Sequence, residues 1–147
     1  MIYVKISTKG RYALRMLIDL AENQRDGYVS LRDISERQEI SKKYLEQIVP
    51  IFNNSDILLT SRGFKGGYRL AKAPEDITVG EVLRLTEGSL APVACLEHDP
   101  AQCDRSAFCP TLPVWKGLYD NITTYLDGIT LQELIDNGHG GADNYII

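Results

Sequence analysis

The sequence predicts a mainly α fold interrupted by one small β-hairpin, with a long helix towards its carboxyl end. Three observations carry that prediction. Apolar residues recur at three- and four-residue intervals in several segments, and most of these segments follow a serine or threonine suited to a helix N-cap. One glycine-rich stretch, Arg62-Gly63-Phe64-Lys65-Gly66-Gly67-Tyr68-Arg69, has the composition of a hairpin turn between short strands. Aliphatic and aromatic residues from Leu112 to Leu126 keep helical spacing throughout.

Each element follows from its own residues. Ser7-Thr8 opens a helix to about Asn23, with Ala13, Met16, Leu17, Leu20 and Ala21 on one face. A turn through Asp26-Gly27 leads to Ser30, which caps Leu31–Gln38; Leu31 and Ile34 anchor this helix and Asp33 is its first-turn acid. Glu39-Ile40 forms a turn, and Ser41 caps a third helix. Its Leu45, Ile48 and Val49 face inward, while Lys42, Lys43, Glu46 and Gln47 stay outside. Pro50 lacks a donor and clashes with the preceding turn, so this helix should end or bend there, with Ile51 and Phe52 packing beyond the break. Thr60–Arg62 and Tyr68–Leu70 are the predicted strands, joined by a loop that needs glycine's backbone freedom at Gly63, Gly66 and Gly67. Thr78 caps a helix over Val79–Thr86. Residues 88–110 have no regular period. In the long helix, Leu112, Trp115, Leu118, Tyr119, Ile122, Tyr125 and Leu126 form an apolar seam that suits pairing with a second copy. Thr130 caps a last short helix, Leu131–Ile135, and a polar tail is expected to be flexible from Gly138 to Ile147. The expected organisation is a module over 1–87, a cysteine-bearing loop over 88–110, the long and terminal helices over 111–137, and the tail over 138–147.

Bulk properties narrow the function classes. The 147 residues are 44% hydrophobic, enough for one globular domain and an accessory element. No apolar run approaches the roughly 18 residues needed to cross a bilayer, and Met1-Ile2-Tyr3-Val4-Lys5 lacks a secretory signal's apolar stretch, so a cytoplasmic protein without a membrane partner is expected. Residues 1–73 hold thirteen Lys or Arg against eight Asp or Glu, a net of +5, whereas residues 74–147 hold three against twelve, a net of −9. A basic half facing a polyanion and an acidic half facing solvent, a regulator or another subunit fit that split. Only His98 and His139 are available as imidazole bases, neither placed to pair with a cysteine, and no phosphate loop or carboxylate dyad is present. An enzyme is therefore not expected.

Residues 30–72 give a capped helix, a tight turn, a second helix and a glycine-rich hairpin, which is the order of a winged helix-turn-helix. In such a unit the first helix braces against the phosphate backbone and the second places polar side chains in the major groove of DNA. Those side chains here are Lys42, Lys43, Glu46 and Gln47. Lysine can donate to guanine, glutamine can pair bidentately with adenine and glutamate can accept from cytosine, each good contact discriminating by about 1–3 kcal/mol. Tyr44 and the start of the helix at Ser41 would bind phosphate and fix register. The hairpin would lie along the minor groove, bringing Arg62, Lys65 and Arg69 to its negative potential. Ser7, Thr8, Lys9 and Arg11 provide a further phosphate-binding edge.

Three runs carry a family resemblance: Lys5-Ile6-Ser7-Thr8-Lys9-Gly10-Arg11-Tyr12-Ala13-Leu14; Ile34-Ser35-Glu36-Arg37-Gln38 with Ile40-Ser41 and Tyr44-Leu45-Glu46-Gln47; and Arg62-Gly63 with Gly66-Gly67-Tyr68 and Leu70. They closely resemble the Rrf-two family of bacterial winged-helix repressors. The resemblance continues through Ile77-Thr78-Val79-Gly80-Glu81-Val82 to Thr130-Leu131-Gln132-Glu133-Leu134. It implies a homodimer that crosses its long helices and binds an imperfect palindrome in double-stranded DNA. By position it gives Lys43, Glu46, Gln47 and Arg62 the base- or groove-reading roles. Two departures are visible: Pro50 lies in a segment the family keeps helical, and Asp56 replaces a glycine, a substitution tolerated because aspartate adopts the left-handed conformation better than most residues.

Cys95, Cys103 and Cys109 are the only cysteines. In a reducing compartment, such a cluster suits metal binding or redox sensing better than a structural disulfide. The spacing does not fit a zinc ribbon, and chemistry alone leaves an iron–sulfur cluster, zinc and free thiols open. The resemblance implies an iron–sulfur cluster, since members that sense cluster status or nitric oxide carry three cysteines in this loop. The fourth ligand of such members is either a histidine, at the place of Leu112, or a carboxylate, at the place of Arg11. His98, Glu97, Asp99 and Asp104 could substitute, His98 first because imidazole suits iron. The tail, Asp143-Asn144-Tyr145-Ile146-Ile147, resembles that of the family's cysteine-metabolism repressors, which implies a metabolic enzyme such as cysteine synthase as a docking partner.

Overall fold

A computed structural model describes residues 6–25, 27–97 and 108–140, with the side chains of 139 and 140 outside that description. In chain order its elements are α1 (Thr8–Asn23), α2 (Leu31–Gln38), α3 (Lys42–Ile48), the strands β1 (Leu58–Ser61) and β2 (Gly67–Leu70), then α4 (Val79–Glu87), α5 (Leu112–Asp127) and α6 (Leu131–Gly140). The fold is mainly α with one antiparallel hairpin, as the residue spacing predicts.

Helix starts follow the side-chain chemistry closely. The hydroxyls of Ser7, Ser30, Ser41 and Thr78 accept hydrogen bonds from the N–H groups of Gly10, Asp33, Tyr44 and Glu81, and Thr130 accepts one from Glu133. Each satisfies an N–H that has no partner within its helix. At Thr78 the Glu81 carboxylate returns the bond to the cap's own N–H, completing a capping box.

Helix α1 is the packing axis. Ala13, Met16, Leu17 and Leu20 are almost completely buried, and α1 packs against α2, α3, α4, α6 and β2. The same core takes Ile34 from α2, Leu45 and Ile48 from α3, and Leu58 and Leu70 from the hairpin. Among the described residues one charged side chain enters it: Asp19, 1% exposed. Its carboxylate accepts from the Arg37 guanidinium at 2.8, 3.0 and 3.3 Å and from the Gln38 amide at 3.0 Å, so the buried charge is paired and α2 is fixed to α1. The Asp19 hydrogen bond holds the Arg37 guanidinium above its ordinary pKa, against the opposing effect of desolvation.

The turn between α2 and α3 contains Glu39 in the left-handed region at φ 55°, the only non-glycine residue with positive φ among those described. The Ser35 hydroxyl closes this turn by donating to the Ile40 carbonyl at 2.6 Å. Asp56, expected to tolerate that conformation, does not adopt it. The chain there is held by Ser55, whose N–H and hydroxyl both donate to the Phe52 carbonyl, so no positive φ is required. Helix α3 ends at Ile48 and passes into a 3-10 turn, Val49–Phe52, that contains Pro50. Phe52 is completely buried beyond the break.

The hairpin differs from the predicted strands. β1 begins at Leu58 and ends at Ser61, leaving Arg62 in the loop. Register explains this: buried Leu58 pairs with buried Leu70, and Ser61 opposite Gly67 is the last pair. β2 is also paired on its other side, where Val29 and Tyr68 exchange N–H···O bonds of 2.8 Å. Gly67, at φ 154°, lies against the Val29 carbonyl, and a Cβ there would collide with that backbone.

A smaller cluster of Val79, Leu83 and Leu90 receives Tyr119, Ile122 and Leu126 from α5. The joint is pinned by Arg84, whose two terminal nitrogens donate to the Asp127 carboxylate at 2.8 and 2.7 Å. Gly80 makes room for that carboxylate, since a Cβ at this position would clash with it. The predicted seam of α5 therefore divides. Tyr119, Ile122 and Leu126 pack inward, whereas Leu118 and Tyr125 are exposed, together with Val114. Helix α6 also exceeds its expected end at Ile135 and runs past Gly138 to Gly140. Residues 141–147, the rest of the expected tail, lie outside the described residues, as do Cys103, His98, Asp99 and Asp104.

Candidate nucleic-acid interface

Helices α2 and α3 pack together and both rest on α1. Burial of Leu45 and Ile48 decides the orientation of α3 and leaves Lys42, Lys43, Glu46 and Gln47 exposed on the opposite face. Lys42 and Glu46 lie one turn apart as an ion pair at 3.9 Å. Both are more than half exposed, so the pair is weak and DNA can exchange it for other contacts. Tyr44 is half buried and packs edge-on against Tyr12 with ring centroids 5.5 Å apart. Arg15 lies over the other ring of that pair, 5.1 Å from the Tyr12 centroid. Its guanidinium also donates to the Gln38 side chain and main-chain carbonyl, tying α1 to the end of α2.

The base of the hairpin stands beside α3. An open groove of about 630 Å³ runs between them, lined by Glu46 and Pro50 on one side and Ser61, Arg62 and Tyr68 on the other. Arg62 and Lys65 are exposed, and Arg69 is half buried with its guanidinium 5.8 Å from the Tyr28 ring centroid. The structure thus brings the expected major-groove residues and the expected wing cations to adjoining surfaces. Lys72, just beyond the hairpin, is committed elsewhere. Its ammonium reaches Glu81 at 2.8 Å and Asp56 at 3.5 Å, and the Glu81 hydrogen bond raises its pKa.

At the start of α1, Thr8 and Arg11 are exposed and hydrogen-bonded to each other at 3.0 Å, and Lys9 is half buried. Ser7 is engaged within the fold. Its hydroxyl accepts from Gly10 and donates to the Glu87 carboxylate at 2.8 to 2.9 Å, while its N–H donates to the same carboxylate at 2.6 Å. Glu87 is the last residue of α4, directly before the segment that holds the cysteines.

Within that segment, Ala94–Leu96 forms a 3-10 turn carrying Cys95, and Cys109 lies just ahead of α5. Both are half buried and neither is in a disulfide, and the Cys109 sulfur is 3.2 Å from the Thr111 hydroxyl. Leu112, the expected place of a histidine ligand, is buried at the head of α5. Among the described residues no group of three potential metal ligands gathers, and Cys103 and His98 are outside them. Residue patterning alone overlooked Phe64, which is fully exposed at the end of the hairpin. The available signal was an aromatic between two glycines and beside two cations.

A polar-faced helix on a three-helix core, beside a basic two-stranded wing, defines a winged-helix DNA-binding protein. Residues 6–137 match the model of the Rrf2 family, described as an iron-dependent transcriptional regulator. The chain is 39% identical over 135 residues to the HTH-type transcriptional regulator IscR of Aliivibrio salmonicida, covering 91% of this chain and 79% of that one. Among solved structures, T. potens IscR aligns with a TM-score of 0.74 at 36% identity, covering 94% of this chain and 90% of that one. CymR, the global cysteine regulator of B. subtilis, aligns with a TM-score of 0.72 at 34% identity, covering 92% and 98%. The chain belongs to the Rrf2 family of transcriptional regulators. Among the described residues, no helix is long and apolar enough to cross a membrane.

Proposed function

We propose that the chain acts as a homodimeric repressor that binds a palindromic operator, with its affinity set by an iron–sulfur cluster. The observation that carries the DNA-reading part is the exposed face of α3, with Lys43, Glu46 and Gln47, adjoining the wing that bears Arg62. Lys42, Lys65, Arg69, Thr8, Lys9 and Arg11 add phosphate contacts around this reader. Ser41 and Tyr44 fix the helix that carries it, through a cap and a ring contact.

The dimer rests on α5. Val114, Leu118 and Tyr125 are 60%, 40% and 69% exposed. At 100° per residue they fall within about 40° of one another around the helix. A stripe of this kind suits burial against its own symmetry mate. Two such subunits would present two α3 helices to successive major grooves.

The cysteine donors fit a cluster. Cys95 and Cys109 are half buried and outside any disulfide, and thiolates are the usual protein ligands of iron–sulfur centres. Cys95, Cys103 and Cys109 would hold it, with His98 as the first candidate for the remaining position. A cluster in this place supplies sensitivity to iron supply and oxidants. A second reading keeps the DNA role but assigns control to thiol oxidation, or to docking of a metabolic enzyme such as cysteine synthase on residues 143–147. The match to the B. subtilis cysteine regulator, over 92% of this chain and 98% of that one, favours it.

One preparation tests both parts. Protein purified without oxygen should carry iron and a visible thiolate-to-iron absorption that Cys95→Ala, Cys103→Ala and Cys109→Ala each abolish. It should also shift a palindromic duplex, less tightly as salt rises. Protein that stays colourless and iron-free after reconstitution, yet shifts the duplex, leaves the thiol reading.

A further inference from the structure

We propose that Phe64 is a wedge, which the wing inserts into a base step of duplex DNA from the minor groove. This rests on the DNA-binding reading above and adds a contact mode to it. Phe64 is fully exposed, whereas neighbouring rings are engaged: Tyr68 packs on the core and Tyr28 meets Arg69. Its position is built. Phe64 and Lys65 are the central residues of a turn closed by the Gly66 N–H donating to the Gly63 carbonyl at 3.0 Å, so a tight turn presents the ring at the hairpin's end.

Cations outnumber acids around it. Arg62 lies two residues before it, Lys65 follows it, Arg69 lies on the returning strand, and Arg25 lines with it an open groove of about 570 Å³, in which Asp33 is the one acidic residue. A partner that suits this tip needs negative charge around an apolar slot. Duplex DNA supplies that combination, with phosphates flanking stacked bases, and phenylalanine is among the side chains that enter minor-groove steps and unstack them. Placement agrees with this chemistry. The base of the same hairpin shares a groove with Glu46 of α3, so α3 in the major groove carries the tip across the backbone to the adjoining minor groove.

The test uses the full chain and a duplex that the protein itself enriches from a random pool. With 2-aminopurine placed singly at adenines through the enriched site, wild-type protein should raise fluorescence at one step in each half-site, reporting unstacking. Phe64→Ala should abolish that rise and bind about tenfold more weakly. Its slope of log affinity against log salt should stay at the wild-type value, because no phosphate contact is lost, whereas Lys65→Ala should lower the slope. Phe64→Leu should retain the rise, since leucine also serves as a wedge. Flat fluorescence at every step, or wild-type affinity in Phe64→Ala while Lys65→Ala is weakened, overturns the wedge and leaves the DNA reading intact. Failure to enrich any duplex overturns the DNA reading and the wedge with it. A Phe64→Ala chain that changes its oligomeric state, or that loses binding to anionic vesicles at unchanged duplex affinity, assigns the ring to a self-contact or a lipid surface and also overturns the wedge.

Discussion

Single side chains in this protein divide between those held by the fold and those left for a partner, and Ser7 shows how the two are told apart. Residue type places it among phosphate binders at the start of a basic helix, yet its hydroxyl is saturated by Gly10 and Glu87. Ser7→Ala should therefore cost about 1–2 kcal/mol of stability through the lost cap and its carboxylate bond, read as a lower urea midpoint. The salt slope of DNA binding should not move. A reduced slope at unchanged stability would return the hydroxyl to the phosphate contacts. Asp19 teaches the same distinction from the other side. Its sequence neighbours are apolar, and only the fold brings Arg37 and Gln38 to it from the next helix.

Helix starts were legible because a cap is a local event: Ser7, Ser30, Ser41, Thr78 and Thr130 each act within three residues of themselves. Features that depend on a distant partner were not. The start of β1 at Leu58 is decided by Leu70 across the hairpin, and Glu39 takes its left-handed turn because the two helices flanking it are packed. The apolar residues of α5 were read correctly as helical, but α4 decides which of them turn inward. Of the expected interface, the outer face of α3 followed directly from periodicity, whereas Phe64 was hidden because an aromatic in a turn reads equally well as core. The joint of α4 with α5 makes a pH prediction. Hydrogen bonding to Arg84 holds the Asp127 carboxyl below its ordinary value, with burial opposing. Because its pKa is depressed in the folded chain, its stabilisation is present above that value and is lost as pH falls through the folded one. Both partners are about two-fifths exposed, so solvent screening limits the pair to about 1 kcal/mol or less. Asp127→Asn should lower the urea midpoint at pH 7, and the gap to wild type should close once the pH passes well below an aspartate's ordinary value. A gap that persists into acid would mean the carboxylate charge is not what pins α5.

At the scale of the whole molecule, the basic amino-terminal half carries the proposed reader and the acidic half carries α5 and the cysteines. The proposed dimer separates cleanly from both. Leu118→Lys on the exposed stripe of α5 should shift the protein from dimer to monomer in sedimentation without lowering its helix content, and should weaken binding to a palindrome far more than to a single half-site. An unchanged sedimentation coefficient would remove α5 as the interface. The wing, by contrast, belongs to the body of its own subunit. Gly67 lies against the Val29 carbonyl, and Tyr68 is hydrogen-bonded to Val29 through its N–H and its carbonyl while it stands opposite Thr60 in the hairpin register. Anyone exchanging DNA-reading parts between proteins of this type should thus cut before Val29 and after Leu70. A hairpin moved without Val29 would arrive with one edge bare and no stop against which to seat.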